Sequence, residues 1–132
     1  MNTTYFLNVL AGNVFRSKLT PALPETLYIG LSTTEPSMDG TGMTEPSDSA
    51  YSRILLTGMG EPVGGQTVNA SVLDFPESVG DWGVITHFGI FDAGTGGNLL
   101  MYGPLERSRT VEPETVMSFK PGMLKLSMKN QE

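Results

Sequence analysis

The sequence predicts a mainly β protein: a β-sandwich or small barrel of about seven to eight short strands with one N-terminal helix. Three observations lead there. Glycine and proline, 16 and 9 of the 132 residues, are scattered without a three-residue period and so act as punctuation. Between them recur short runs that alternate apolar and polar residues. Helical spacing is confined to the first eighteen residues.

The elements follow in order. Phe6, Leu10 and Val14 recur every fourth residue, with Leu7 and Val9 beside them, which predicts a helix over residues 4–16. Thr3 or Thr4 can cap its start, and Arg16 and Lys18 suit the negative end of its dipole. Gly12 weakens it by about 1 kcal/mol relative to alanine. Pro21 and Pro24 then enforce an extended connection. Residues 26–33, TLYIGLST, form the first clear strand, with Leu27, Ile29 and Leu31 on one face and Tyr28 and Gly30 on the other. A polar loop follows, in which TEPS occurs at 34–37 and again at 44–47; two copies are too few for a solenoid. Residues 51–57 return to strand character, and 58–65 form another loop.

Residues 67–75, TVNASVLDF, alternate and predict one strand. After a turn at 76–81, residues 82–92 make the longest strand, with Trp82, Val84, Phe88 and Ile90 on one face. Residues 99–105 answer it across the loop Gly94-Thr95-Gly96-Gly97. Val111 starts a short segment; 115–120 and 123–128 are the last strands, joined by a Pro121-Gly122 turn. The length is that of one domain, 1–132, divided into the helix at 1–18, a candidate attachment segment, and a β-rich body at 19–132.

Composition excludes several function classes. There is no cysteine, hence neither disulfide nor thiolate metal site. The eight methionines are scattered and suit gap filling in a core. No apolar run is long enough to span a membrane, and the N-terminus does not read as a secretory signal. A net charge of −6 argues against a nucleic-acid partner. That charge is uneven: residues 25–81 hold nine carboxylates against one cation, Arg53, while 82–132 hold five of each sign.

The chemistry is equally sparse. His87 is the only histidine, Asp92 has the opposite strand parity, and no GxSxG elbow is present. GTGGN lacks the lysine of a phosphate loop and is followed by a strand, so it reads as a turn in which Asp92 accepts a backbone N–H. Ser37, Asp39 and Thr41 alternate around Gly40 like a calcium loop, but the closing glutamate is missing and a solvated loop is preferred. The expectation is therefore no enzyme, no cofactor and no metal. Aromatics at Tyr28, Tyr51, Trp82, Phe88, Phe91 and Tyr102 are spaced as strand core, although such a set could also stack a sugar. Residues 82–91 and 99–105 are apolar on both faces, which calls for cover by the helix, by another subunit, or by both, with a homotrimer as the leading arrangement.

The order YFLNVLAGNVFR, LYIGLSTTEPSMDGTG, YSRI, WGVITHFGIFDAGTGGNLLMYGPL and MLKLSM resembles a family of small bacteriophage virion proteins labelled tail fibre or minor structural proteins. The similarity covers nearly the whole chain and is most specific at Trp82, Thr86, Phe88, Ile90, Asp92, Gly96, Gly97, Asn98 and Leu99. It departs at the 58–65 loop and the TEPS repeat. The resemblance implies a virion structural protein, made in the host cytoplasm and assembled on the capsid or tail surface as a decoration, fibre-base or adaptor subunit. Its partners would be major capsid or tail proteins, with about 800 Å² buried per partner. The alternative is a receptor-binding module for a host glycan or surface protein. Candidate residues are Trp82, Phe88, Ile90, Asp92, Gly96, Gly97, Leu99 and Tyr102 as fold signature and core, and Phe6, Leu10 and Phe15 for attachment.

Overall fold

The computed structural model describes residues 1–17 and 22–128. Lys18 and Pro21, to which the sequence assigned a dipole contact and an extended linker, lie outside the described residues. The chain is mainly β, with one helix, α1 (Thr4–Phe15). Eight strands follow it: β1 (Tyr28–Ser32), β2 (Ile54–Leu55), β3 (Gln66–Val68), β4 (Leu73–Asp74), β5 (Gly83–Phe91), β6 (Leu99–Val111), β7 (Ser118–Phe119) and β8 (Lys125–Ser127). They form a four-stranded sheet in the order β2-β1-β5-β6 and two small sheets, β3-β8 and β4-β7, all antiparallel.

Helix α1 begins where Thr3 accepts the Phe6 N–H, at 3.3 Å, as an N-cap. The same hydroxyl contacts the carbonyls of Leu99 at 2.7 Å and Leu100 at 3.1 Å. One side chain thus starts the helix and ties it to β6. Asn2 continues the tie through a bridge to Met101, and both Asn2 and Thr3 are fully buried.

The main core lies between the large sheet and the two small ones. Ile29 and Leu31 of β1 and Ile85, Phe88 and Ile90 of β5 meet Leu73, Phe75, Met117, Phe119, Leu124 and Leu126. Phe75 and Tyr51 both lie against Trp82, the latter edge-on at 5.3 Å between centroids. A smaller cluster, Phe91, Leu99 and Tyr102, occupies the opposite face of the large sheet under Met1 and Met43. The cover that the two-sided apolar strands require is thus supplied there by the chain's own N-terminal segment and its polar loop.

Two readings of the strands are corrected. Residues 67–75 are not one strand. β3 pairs with β8 and β4 pairs with β7, with a break at Asn69 between them. Asn69 is 1 % exposed; its amide donates to the carbonyls of Ser71 (2.9 Å), Phe119 (3.2 Å) and Lys120 (3.0 Å) and accepts the Leu124 N–H at 2.9 Å. These bonds bend the chain from one small sheet to the other. The second correction concerns Val84, which is exposed rather than beside Phe88. Ile85 pairs with Arg109, yet His87 pairs with Pro104, so one extra residue on β5 faces four on β6. This bulge reverses side-chain parity, turning Ile85 and Phe88 to the same core. Trp82 escapes the alternation because Gly83 has φ +77°. The same bulge carries β6 on to Val111, where the sequence had suggested a new segment.

Asn69 should be costly to remove. Asn69→Ala strands buried carbonyls and an N–H, each worth about 1–3 kcal/mol when unsatisfied. A loss of at least about 3 kcal/mol is expected in urea titration; a loss under about 1 kcal/mol would show that water replaces the amide.

Candidate functional site

The segment joining β5 to β6 is a hairpin, closed by Asp92. Asp92 accepts the Asn98 N–H at 2.7 Å and the Asn98 amide at 3.0 Å. Gly96 and Gly97 have φ +61° and +71°. A Cβ on Gly97 would sit 2.5 Å from Asp92 Oδ1, so glycine is required there twice over. No helix follows, and the loop builds no anion cradle of the helix N-terminal kind.

Arg53 braces this hairpin from outside. Its Nη1 donates to the carbonyls of Ala93 at 2.9 Å and Gly96 at 2.8 Å. Its Nε and Nη2 donate to Glu45 Oε1 at 2.9 and 2.7 Å. The guanidinium carbon lies 3.4 Å from the centroid of Phe91. Only 9 % of this side chain is exposed, so the cation is almost fully spent on the fold. It borders a groove of about 470 Å³ with Glu45, Tyr51, Phe91 and Thr95. Burial pushes the Tyr51 phenol well above its usual range, and its oxygen accepts the Leu31 N–H at 3.0 Å. That groove therefore offers neither a free cation nor an ionisable phenol.

Asp48 is a second brace. Its Oδ2 accepts the N–H groups of Val79 (2.8 Å) and Gly80 (3.0 Å) and the indole N–H of Trp82 (2.8 Å). These bonds, the Gly80 one foremost, lower its pKa to about 2. Trp82 is thereby fixed at both ends, its ring in the core and its N–H on a carboxylate.

His87 lies between Thr86 and Glu35. Its Nδ1 lies 2.8 Å from the Thr86 hydroxyl and its Nε2 3.9 Å from Glu35. Burial lowers its pKa, with the Glu35 charge opposing, so the ring is neutral at pH 7. The loop suggestive of calcium is closed on itself: Asp39 accepts the Thr41 N–H at 3.0 Å and hydroxyl at 2.6 Å. Among the described residues no three His, Cys, Asp or Glu side chains gather as a metal site, and no helix is long and apolar enough to cross a membrane. The TEPS repeat has a structural consequence, since the threonines that open its two copies, Thr34 and Thr44, bond to each other at 2.8 Å.

The remaining candidates divide by burial. Trp82, Phe88, Ile90, Leu99 and Tyr102 are all buried. The attachment set is split. Phe6 packs against the main core and Leu10 is half-buried, whereas Phe15 is 83 % exposed, with Val14 beside it at 67 %. Leu7 and Tyr5 add to this surface, and only Val9 of α1 is buried.

A family model described as podophage GP4 fiber I protein gp80 matches residues 2–127. The chain belongs to that family. The match spans every described strand and the helix. It agrees with the resemblance carried by residues 82–99, and it makes the chain a member of a family of phage fibre proteins. Among curated proteins none matches the chain. Three residues that organise this fiber I chain, Arg53, Asp48 and Asn69, were not singled out by the sequence for these roles. Arg53 alone left a signal, as the one cation in an acidic half.

Two outcomes follow. Arg53→Ala removes a nearly buried cation and leaves Glu45 and two hairpin carbonyls unpartnered, so a loss of about 3 kcal/mol is expected, with faster amide exchange at Ala93–Asn98; Arg53→Lys should rescue only part. The Asp48 pKa is depressed on folding, so its stabilisation is complete above the ordinary carboxylate value of 3.8 and is lost as pH falls toward about 2. Asp48→Asn should flatten the pH dependence of stability over that interval; an unchanged acid-unfolding curve would assign the dependence elsewhere.

Proposed function

We propose that the chain is a virion structural subunit, a fibre or fibre-base component, that docks on a neighbouring virion protein through the outer face of α1. One observation carries this reading: a twelve-residue helix, pinned to the body by Thr3, leaves Leu7, Val14 and Phe15 in solvent. A surface helix normally buries its apolar stripe. Here the stripe divides, with Val9 and part of Phe6 facing inward and the C-terminal turn facing outward. The family supports the virion setting, and the sparse chemistry around His87 supports a non-catalytic role. A homotrimer in which copies also meet one another fits the same reading. Glycan recognition draws less support from the aromatic set, because Trp82, Phe88, Phe91 and Tyr102 are buried and only Tyr28 and Tyr51 are half-exposed.

Deletion of residues 1–18 is a poor test, because it removes the buried Asn2 and Thr3 along with the helix. The double substitution Val14→Ser, Phe15→Ser touches only exposed positions and should alter stability by no more than about 0.5 kcal/mol. Incorporation into purified particles, measured by quantitative mass spectrometry against the wild-type chain, should fall at least about tenfold. Normal incorporation of the folded variant would overturn docking through α1.

A further inference from the structure

A groove of about 350 Å³ runs between the bulged part of β6 and β7, on elements that the α1 surface does not include. Its walls carry Arg107, Arg109 and Lys120, with Glu106 as the one carboxylate, a formal charge of 3 − 1 = +2. Met117 and Phe119 line its floor and Met123 its rim. Among the described residues none of the three cations has a carboxylate within ion-pair distance. Residues 105–108 form the β6 side of the bulge and have no register partner on β5. Positive charge that the fold does not use, over an apolar floor, is an interaction surface.

The same chain carries a surface of complementary form. Its loop 34–41 exposes Glu35, Met38 and Asp39, a formal charge of −2 with an apolar side chain among the acids. The loop is held in shape by its own bonds, Thr34 to the Gly42 carbonyl at 2.6 Å, Ser37 N–H to the Thr41 carbonyl at 2.8 Å, and Thr41 to Asp39. The Thr41 hydroxyl keeps the Asp39 carboxyl below its usual pKa and therefore charged. Neither acid is paired to a lysine or arginine among the described residues.

We propose that the β6–β7 groove receives the acidic loop 34–41 of a second copy of this chain. Met38 enters over Met117 and Phe119, while Glu35 and Asp39 meet Arg107, Arg109 and Lys120. The contact joins two different patches, so it is head-to-tail, and its repetition gives a ring where the rotation closes and a filament where it does not. Each copy carries −6 overall, but that repulsion is screened beyond about 8 Å at physiological salt, whereas the groove contact is short-range. A preformed loop loses little entropy on docking.

Charge reversal on both sides tests this by sedimentation velocity over a concentration series. Wild type should self-associate. R107E/R109E and E35K/D39K, each confirmed as folded by circular dichroism, should associate at least about tenfold more weakly. An equimolar mixture of the two should regain association, because each loop then faces a groove of opposite sign. If the reversal unfolds the chain, the neutral pair R107Q/R109Q gives the same first comparison. A strictly monomeric wild type, reversed variants that associate like wild type, or a mixture that stays monomeric would each overturn the proposal. So would groove variants that keep self-association but lose binding to heparin, which would make the groove a site for anionic polysaccharide. Failure here leaves docking through α1 standing, since V14S/F15S shares no residue with either patch.

Discussion

The fold depends most on one guanidinium. Arg53 is a nearly buried cation in the acidic half of the chain, and its four hydrogen bonds reach two segments far apart in sequence. A charge in that position is tolerable only while its partners stay in place. That condition fixes the carbonyls of the glycine hairpin on one side and Glu45 on the other, with the Phe91 ring beneath. The hairpin then keeps the register of β5 and β6, and the polar loop stays over the second face of the large sheet, where Met43 covers Phe91, Leu99 and Tyr102.

This arrangement alters what the two-sided apolar strands mean. From the sequence, apolar residues on both faces of residues 82–91 and 99–105 ask for a neighbouring subunit. The structure meets most of that demand within one chain, through residues 1–3 and the loop braced by Arg53. The case for a partner therefore shifts from the strands to α1, whose outer turn is exposed among the described residues. It also explains the split of the attachment residues: Phe6 lies next to the Thr3 cap and is drawn inward, while Phe15 lies at the C-terminal end of the helix and is exposed.

Elements governed by local pattern were legible in the sequence. The helix, β1, β5 and the hairpin each follow from spacing or turn chemistry, and the helix ends within a residue of the boundaries expected from Thr3 and Arg16. Features governed by distant partners were not. Nothing in TVNASVLDF marks Asn69 as inward, because its acceptors, Phe119 and Lys120, are fifty residues away. The bulge between β5 and β6 hides in the same way: Glu106, Arg107 and Ser108 break the alternation of β6 and read as a strand end, although the strand resumes at Arg109. Of the candidate site, the buried signature was visible as hydrophobic pattern, but the braces on it, Arg53 and Asp48, are polar residues in loops whose roles exist only in three dimensions.

The layout of what remains unspent suggests a division of labour in assembly. Apolar surface is left at the end of α1, and among the described residues no lysine or arginine pairs with the acids of loop 34–41 and no carboxylate with the cations of the β6–β7 groove. Burial of apolar side chains supplies affinity with little directional preference. Charged contacts add less net affinity but penalise wrong registers and wrong partners strongly. On the two proposals, the helix would hold the subunit in a particle and the groove would set its orientation relative to its neighbours. Arg107 and Arg109, two residues apart in β6, line that groove together with Lys120, the residue after β7.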